Sequence, residues 1–250
     1  MIQFTTVVGV DLNCYRQLAL SILTWRKFRP EIFKNPMIAF YDSDQISEEM
    51  VRLIVRHENC KFVPWGNSAI YDSQREKMLS GFVLVPPVHV ETDWWVKIDT
   101  DVVSYSSQAW LEEAVFQPDV CFVGSPWSYT KPKDQMFCLN EWAKKTRLNE
   151  HDEPVFHGND PNSNKLKHSR MCSWIFTCNT KWSKIAAQYA IESCPEGKIP
   201  VPSQDGYHFY IALRRHDKWL SFPFKNFGWK TISNFGKLKL AVEEIIGTKR

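Results

Sequence analysis

Trp94-Trp95-Val96-Lys97-Ile98-Asp99-Thr100-Asp101-Val102-Val103 is the stretch on which the fold turns. Its first five residues are almost wholly apolar and read as a buried strand. Two aspartates, one residue apart, close that strand, and Val102-Val103 returns the chain to an apolar environment. Outward from here the first 125 residues alternate between strand and helix. Phe4–Val10 is β-rich and ends at the turn-forming Asp11-Leu12-Asn13, and Tyr15–Phe28 has the apolar spacing Leu18, Ile22, Trp25, Phe28 of an amphipathic helix. Met37–Tyr41 is a second strand ending at Asp42-Ser43-Asp44. A helix over Ile46–His57, with Asp44 as its cap, and a strand over Cys60–Trp65 follow. A helix is predicted over Gln74–Val85, stopped by Pro86-Pro87, another over Gln108–Phe116, and a fifth strand over Val120–Gly124.

Strands alternating with helices of this length imply βαβ units: an α/β fold with a mostly parallel central sheet flanked by helices, Rossmann-like in its first half. Ligands of such sheets bind beyond the carboxyl ends of the strands. The ends of strands one, two and four carry Gly9 and Asp11, Asp42 and Asp44, and Asp99 and Asp101, so polar and acidic residues gather on that edge. The second half is less regular. Helices are expected over Lys131–Arg147, Lys181–Glu192 and Gly206–Arg215, a strand over Met171–Thr177, and a polar loop over His151–His168.

Two carboxylates at i and i+2 beyond a buried strand are costly unless a cation or strong donors offset them. Hard oxygen ligands in this number suit Mg²⁺ or Mn²⁺, with water and substrate phosphates completing the shell. The same spacing also decorates ordinary turns, and Asp42-Ser43-Asp44 is a second instance. Asp99 and Asp101 are preferred for the metal because of the strand before them and the apolar return after them.

With these motifs in order the chain resembles the GT-A glycosyltransferases. The resemblance is carried by Thr5-Thr6-Val7-Val8-Gly9-Val10, a second strand ending in Asp42, and Lys97-Ile98-Asp99-Thr100-Asp101-Val102-Val103. Ser173-Trp174-Ile175-Phe176 and Ser203-Gln204-Asp205-Gly206 continue it. It implies one domain over 1–250, with residues 1–125 binding a nucleotide sugar and 126–250 the acceptor. The strand Thr5, Val8, Gly9 would lie under the nucleoside base, Asp42 would hold base or ribose, and Asp99, Thr100 and Asp101 would meet ribose and metal. Asp205 matches the general base of inverting members, although Gln204 stands where the family often has a second acid. His208 is the candidate third metal ligand. Lys77, with Arg75, Lys225 and Lys230, could meet the diphosphate, and Trp127, Tyr129 and Trp174 could stack on sugar. The implied donor is a uridine diphosphate sugar first and a guanosine diphosphate sugar second, and the acceptor a glycan or other hydroxyl.

Rival readings are specific. Asp99 could be the nucleophile of a haloacid-dehalogenase-like phosphatase, but that motif closes the first strand of its domain and 98 residues precede it here. A nucleotidylyltransferase needs a Gly-rich basic loop after strand one, which Asp11-Leu12-Asn13 is not. A non-catalytic sugar- or nucleotide-binding module would share the fold without turnover.

Bulk composition narrows the partners. A net charge of +3, evenly spread, gives no nucleic-acid footprint. The short basic runs Arg214-Arg215 and Lys237-Leu238-Lys239 read as solvated helix faces. There is no apolar run of about 18 residues to span a bilayer and no basic-then-apolar start, so a cytoplasmic chain, or a domain cut from something longer, is expected. The seven cysteines form no CxxC or Cys/His cluster and read as reduced thiols rather than a zinc site. The 11 tryptophans read first as packing.

Overall fold

A computed structural model describes residues 3–64, 86–107, 116, 122–128, 169–184, 219–221 and 228–247. The strands are β1 (Phe4–Val10), β2 (Met37–Tyr41), β3 (Cys60–Pro64), β4 (Trp94–Ile98), β5 (Val102–Ser104), β6 (Phe122–Ser128), β7 (Ser169–Asn179), β8 (Trp219–Ser221) and β9 (Trp229–Thr231). The helices are α1 (Tyr15–Phe28), α2 (Glu48–Val55), α3 (Pro86–His89) and α4 (Phe235–Ile246).

The described residues form one sheet of order β3-β2-β1-β4-β7-β6-β8 and a separate ribbon, β5-β9. β1 runs parallel to β2 and β4, and β2 to β3. β7 alone is reversed: it is antiparallel to β4 and to β6, while β6 and β8 are parallel. Every residue of β1, β2 and β4 is buried, the pattern of strands covered on both faces. On one face Leu18, Ile22 and Trp25 of α1 pack with Phe4, Val8, Met37, Ala39, Val96 and Ile98. Each such buried side chain contributes about 1.5–3 kcal/mol. On the other, Trp95 meets Phe176 edge-on at 5.2 Å and donates its indole N–H to Ser183 Oγ at 2.9 Å, and Phe40 meets His89 at 5.5 Å.

The helix over Tyr15–Phe28 and the strands over Phe4–Val10, Met37–Tyr41 and Trp94–Ile98 agree with the sequence expectation. Four boundaries differ. The cap of α2 is Ser47, whose hydroxyl accepts the Met50 N–H, rather than Asp44. The Asp42 carbonyl already accepts the Gln45 and Ile46 amides, which makes residues 42–46 a turn of their own and delays the helix. Pro86 and Pro87 open the helical turn α3 instead of only stopping a helix, consistent with the fixed φ of proline at a first helical position. β6 reaches Ser128, and β7 runs 11 residues rather than seven. The helices expected over 74–85, 131–147 and 206–215, and the loop 151–168, lie outside the described residues, as does all of 108–116 except Phe116. Residues 180–184 begin the helix expected from Lys181.

Among the described residues the strands β5, β8 and β9 were not anticipated, and of α4 only the Lys237-Leu238-Lys239 face was. Asn234 caps α4 by accepting the Lys237 N–H at 3.0 Å, and Gly247 ends it at φ 78°. Leu238 and Val242 pack on Val103 with Leu20 and Ile232 around them, while Lys237 and Lys239 are exposed, as a solvated helix face requires. Lys27 donates to the Ile245 carbonyl at 3.0 Å, and Arg26 to those of Val55 and Arg56, so adjacent residues of α1 cap the ends of α4 and α2. Cys14, Cys60 and Cys178 are free thiols. No helix among the described residues is long and apolar enough to cross a membrane.

Gly228 joins the ribbon to the chain before it. It has φ +84°, its carbonyl accepts the Tyr105 N–H at 2.8 Å, and an added Cβ would stand 2.4 Å from Ser106 Cβ. Gly228→Ala should therefore destabilise the fold by about 2–4 kcal/mol, combining left-handed strain with overpacking. Urea unfolding measures this, and an unchanged midpoint would show that the ribbon can relax around the methyl group.

Candidate functional site

The site is assembled by a turn. Asp99 leaves β4 with its N–H donating to the Trp174 carbonyl of β7 at 2.8 Å, and its own carbonyl accepts the Val102 N–H at 3.2 Å, closing the turn 99–102. Thr100 O accepts Ser21 Oγ at 2.8 Å, Asp101 O accepts the Ile232 N–H at 2.9 Å, and Val102 O accepts the Trp25 indole N–H at 2.8 Å. Four consecutive carbonyls thus have a named donor each, from the turn itself, from α1, from the segment after β9 and from α1 again. Ser104 extends the clasp: its N–H goes to Thr24 Oγ1 at 3.0 Å, and its hydroxyl accepts Arg29 Nε at 2.9 Å. Arg29 is 1% exposed and lies over the Trp229 ring at 5.0 Å; burial pulls its pKa down to about 10.

With its backbone committed, the turn offers its side chains. The Asp99 side chain is 35% exposed and Asp101 is half-buried. Lys97, two residues earlier on β4 and therefore on the same face as Asp99, places its ammonium on Asp99 Oδ1 from a side chain that is 5% exposed. The register pairs Val7 with Lys97; two residues on, Gly9 stands level with Asp99 across the C-terminal edge. Beyond β1, the Asp11 carboxylate accepts the N–H groups of Asn13 and Cys14 at 2.8 and 2.7 Å, and the Asp11 N–H goes to Cys14 Sγ. Cys14 also meets the Thr100 side chain, so the loop after β1 touches the turn after β4. Asp42 is 1% exposed, with Oδ1 accepting the Asp44 N–H and Oδ2 the Gln45 amide at 2.8 Å.

The sequence-derived site is therefore partly gathered. Gly9, Asp42, Asp99, Thr100 and Asp101 lie along one edge. Thr5 and Val8 do not join them. The Thr5 hydroxyl shares a hydrogen bond with Thr92 at 2.7 Å, about 13 Å along β1 from Gly9, and Val8 belongs to the core under α1. Trp174 is 8% exposed and also part of that core, which favours packing over sugar stacking. Lys230 is exposed on β9. Lys77, Asp205 and His208, with Arg75, Trp127's side chain, Tyr129 and Lys225, lie outside what is described. The sequence reading missed Lys97, though its spacing of two from Asp99 on a strand was a usable signal, and it missed Ser21, Trp25 and Arg29, whose roles depend on which strand α1 covers.

As a metal site, the turn supplies two hard carboxylates, and no group of three or more His, Cys, Asp or Glu suited to a metal forms among the described residues. That donor set fits Mg²⁺ or Mn²⁺, which keep water and phosphate oxygens in their shells, better than an ion that needs a closed protein cage.

Neither a family model nor a curated protein sequence matches the chain. In three dimensions it is similar to core-mannan synthase A from Aspergillus fumigatus in an Mn/GDP form: TM-score 0.57, 11% identity, covering 89% of this chain and 73% of that one. A galactosyltransferase, LgtC, in complex with donor and acceptor sugar analogs gives 0.50 and 11%, over 87% and 73%. A 4-diphosphocytidyl-2C-methyl-D-erythritol synthase from Anaerococcus prevotii gives 0.56 and 12%, over 98% and 99%. The chain has the GT-A fold, an α/β sheet that glycosyltransferases share with a diphosphocytidyl-forming synthase.

Burial, and secondarily the Asp11 carboxylate, push the Cys14 thiol up to about 12. Because the thiolate is the reactive form, native Cys14 should resist iodoacetamide at pH 8 and react once urea unfolds the chain. Mass spectrometry of the peptide containing Cys14 reads this out; rapid labelling of the native protein would contradict it.

Proposed function

We propose that the chain is a metal-dependent glycosyltransferase that moves a sugar from a nucleoside diphosphate sugar to a hydroxyl on a glycan or other acceptor. The observation that carries this reading is the turn 99–102. Its carbonyls are all engaged and its two carboxylates stand at the ligand-binding edge of a parallel sheet. Asp99 and Asp101 would hold Mn²⁺ or Mg²⁺, with His208 as the candidate third ligand. Bound there, the ion supplies Lewis-acid stabilisation of the departing diphosphate. Gly9 and Asp42 border the space for the nucleoside, and Asp42 would exchange its Gln45 partner for a ribose or base donor. Lys77 is the candidate cation for the diphosphate. A uridine diphosphate sugar is the first choice of donor. The Mn/GDP form of the mannan synthase supports guanosine as the second.

The diphosphocytidyl-forming neighbour makes nucleotidyl transfer the competing reading. The loop after β1 argues against it. A triphosphate cradle needs free loop amides, and those of Asn13 and Cys14 point inward to Asp11, while that of Asp11 points to Cys14 Sγ. The products separate the two: a nucleoside diphosphate for sugar transfer, pyrophosphate for nucleotidyl transfer.

The metal role is tested at Asp101. Since Ile232 bonds its backbone carbonyl, Asp101→Ala leaves that contact in place. The variant should melt near the parent temperature yet lose divalent-dependent turnover by about three orders of magnitude or more. Near-normal activity of Asp101→Ala in chelator would end the metal-dependent reading.

Asp205 is proposed as the base that takes the acceptor hydroxyl proton in an inverting transfer. Asp205→Asn should preserve folding and donor affinity while lowering kcat by about two to four orders of magnitude. As a mere helix cap the change would cost little, because Asn caps as well as Asp. Product NMR showing retention at the anomeric carbon would remove the need for this base.

A further inference from the structure

Lys97, a buried cation in contact with the first carboxylate of the turn, has no place in the reading above. Lys97 sits in the middle of the sheet, paired in register with Val7 of β1 and Phe176 of β7. Its side chain is 5% exposed, its ammonium lies 5.9 Å from the Phe176 ring centroid, and it is ion-paired with Asp99 Oδ1. Burying an ammonium is costly, and packing a sheet interior does not call for one. Its effect falls on the carboxylate it touches, at the position where a divalent ion would bind.

We propose that Lys97 sets the charge of the metal-binding turn, so that a divalent ion binds weakly alone and tightly only together with the donor's diphosphate. This rests on the reading of Asp99 and Asp101 as metal-binding residues. Two carboxylates and one ammonium leave the turn and its lysine with a single net negative charge. An incoming ion must share Asp99 with the ammonium and is repelled across a short distance by a lysine that is itself buried. A diphosphate reverses the balance, bringing negative charge and further oxygen ligands to the same ion. Coupling of this kind is reciprocal, so the ion strengthens nucleotide binding by the factor by which nucleotide strengthens the ion. Lys97 is then a positioning residue. It acts through Asp99 and makes metal and donor arrive as one unit.

Binding of Mn²⁺ tests this without reference to turnover. The free Mn²⁺ signal in electron paramagnetic resonance is followed with the parent chain, Lys97→Met and Lys97→Arg, each with and without uridine or guanosine diphosphate. Metal–nucleotide association in solution is subtracted. In the parent, nucleotide should tighten Mn²⁺ binding by about ten-fold or more. Lys97→Met should bind Mn²⁺ alone about ten-fold more tightly than the parent and lose most of the coupling, while Lys97→Arg, which keeps the charge, should behave as the parent does. A purely structural ion pair would move the melting temperature and leave the coupling alone. The proposal is overturned if the parent binds Mn²⁺ equally well with and without nucleotide, or if natively folded Lys97→Met binds it no more tightly than the parent. Should Lys97→Met fail to fold, the parent coupling and Lys97→Arg still decide. Absence of Mn²⁺ binding by the parent with either nucleotide would instead remove the metal reading itself, and the inference with it.

Discussion

The clasp on residues 99–104 is the constraint on which the rest of the structure depends. A strand that runs out of its sheet exposes carbonyls and amides that must find partners or be solvated. Here they find them in side chains of α1, at Ser21, Thr24 and Trp25, and in the backbone after β9, while Arg29 just past the end of α1 donates to the Ser104 hydroxyl. One face of α1 therefore does two jobs. Leu18, Ile22 and Trp25 fill the core, and the polar atoms of its neighbours hold the chain as it leaves the sheet. Binding sites work when their geometry is fixed before the ligand arrives, and a turn with every carbonyl engaged has little freedom left.

Charge around this turn is arranged in depth. The Asp99 carboxylate just past β4 is met from below by Lys97, and the Asp11 and Asp42 carboxylates are turned into their own loops by amide and Gln45 donors. The acidic edge foreseen from sequence is thus less acidic toward a ligand than a count of its aspartates suggests. Asp99 and Asp101 keep side chains partly open to solvent at this edge, while the amides of Asn13 and Cys14 are turned inward to Asp11.

Fold likeness at 11–12% identity joins sugar transferases with a diphosphocytidyl-forming synthase, so architecture by itself does not choose between reactions. Reactions on one fold are separated by local chemistry, and the segments proposed to carry it here are the loop after β1 and the turn after β4. Both are short, and both are held by hydrogen bonds that the identities of Asp11, Cys14, Ser21 and Trp25 make possible.

The sequence by itself determined the elements whose own burial sets their pattern. β1, β2 and β4 are largely apolar runs because they are buried on both faces, and α1 shows its spacing at 18, 22 and 25 because one stripe meets the sheet. The aspartates at strand ends were legible for the same reason: a carboxylate cannot continue a buried strand, so it marks where the strand stops. Tertiary structure decided what depends on partners distant in sequence. It reversed β7 and inserted it between β4 and β6, brought β9 and α4 back onto the segment after β4, and set Thr5 and Val8 away from the carboxylate-bearing edge. It also buried Lys97 against the first aspartate of the pair. Periodicity reports whether a segment is covered, not by what. The partner is fixed only when segments some 80 or more residues apart, such as Ser21 and Thr100 or Gln17 and Ser233, are brought together by the sheet.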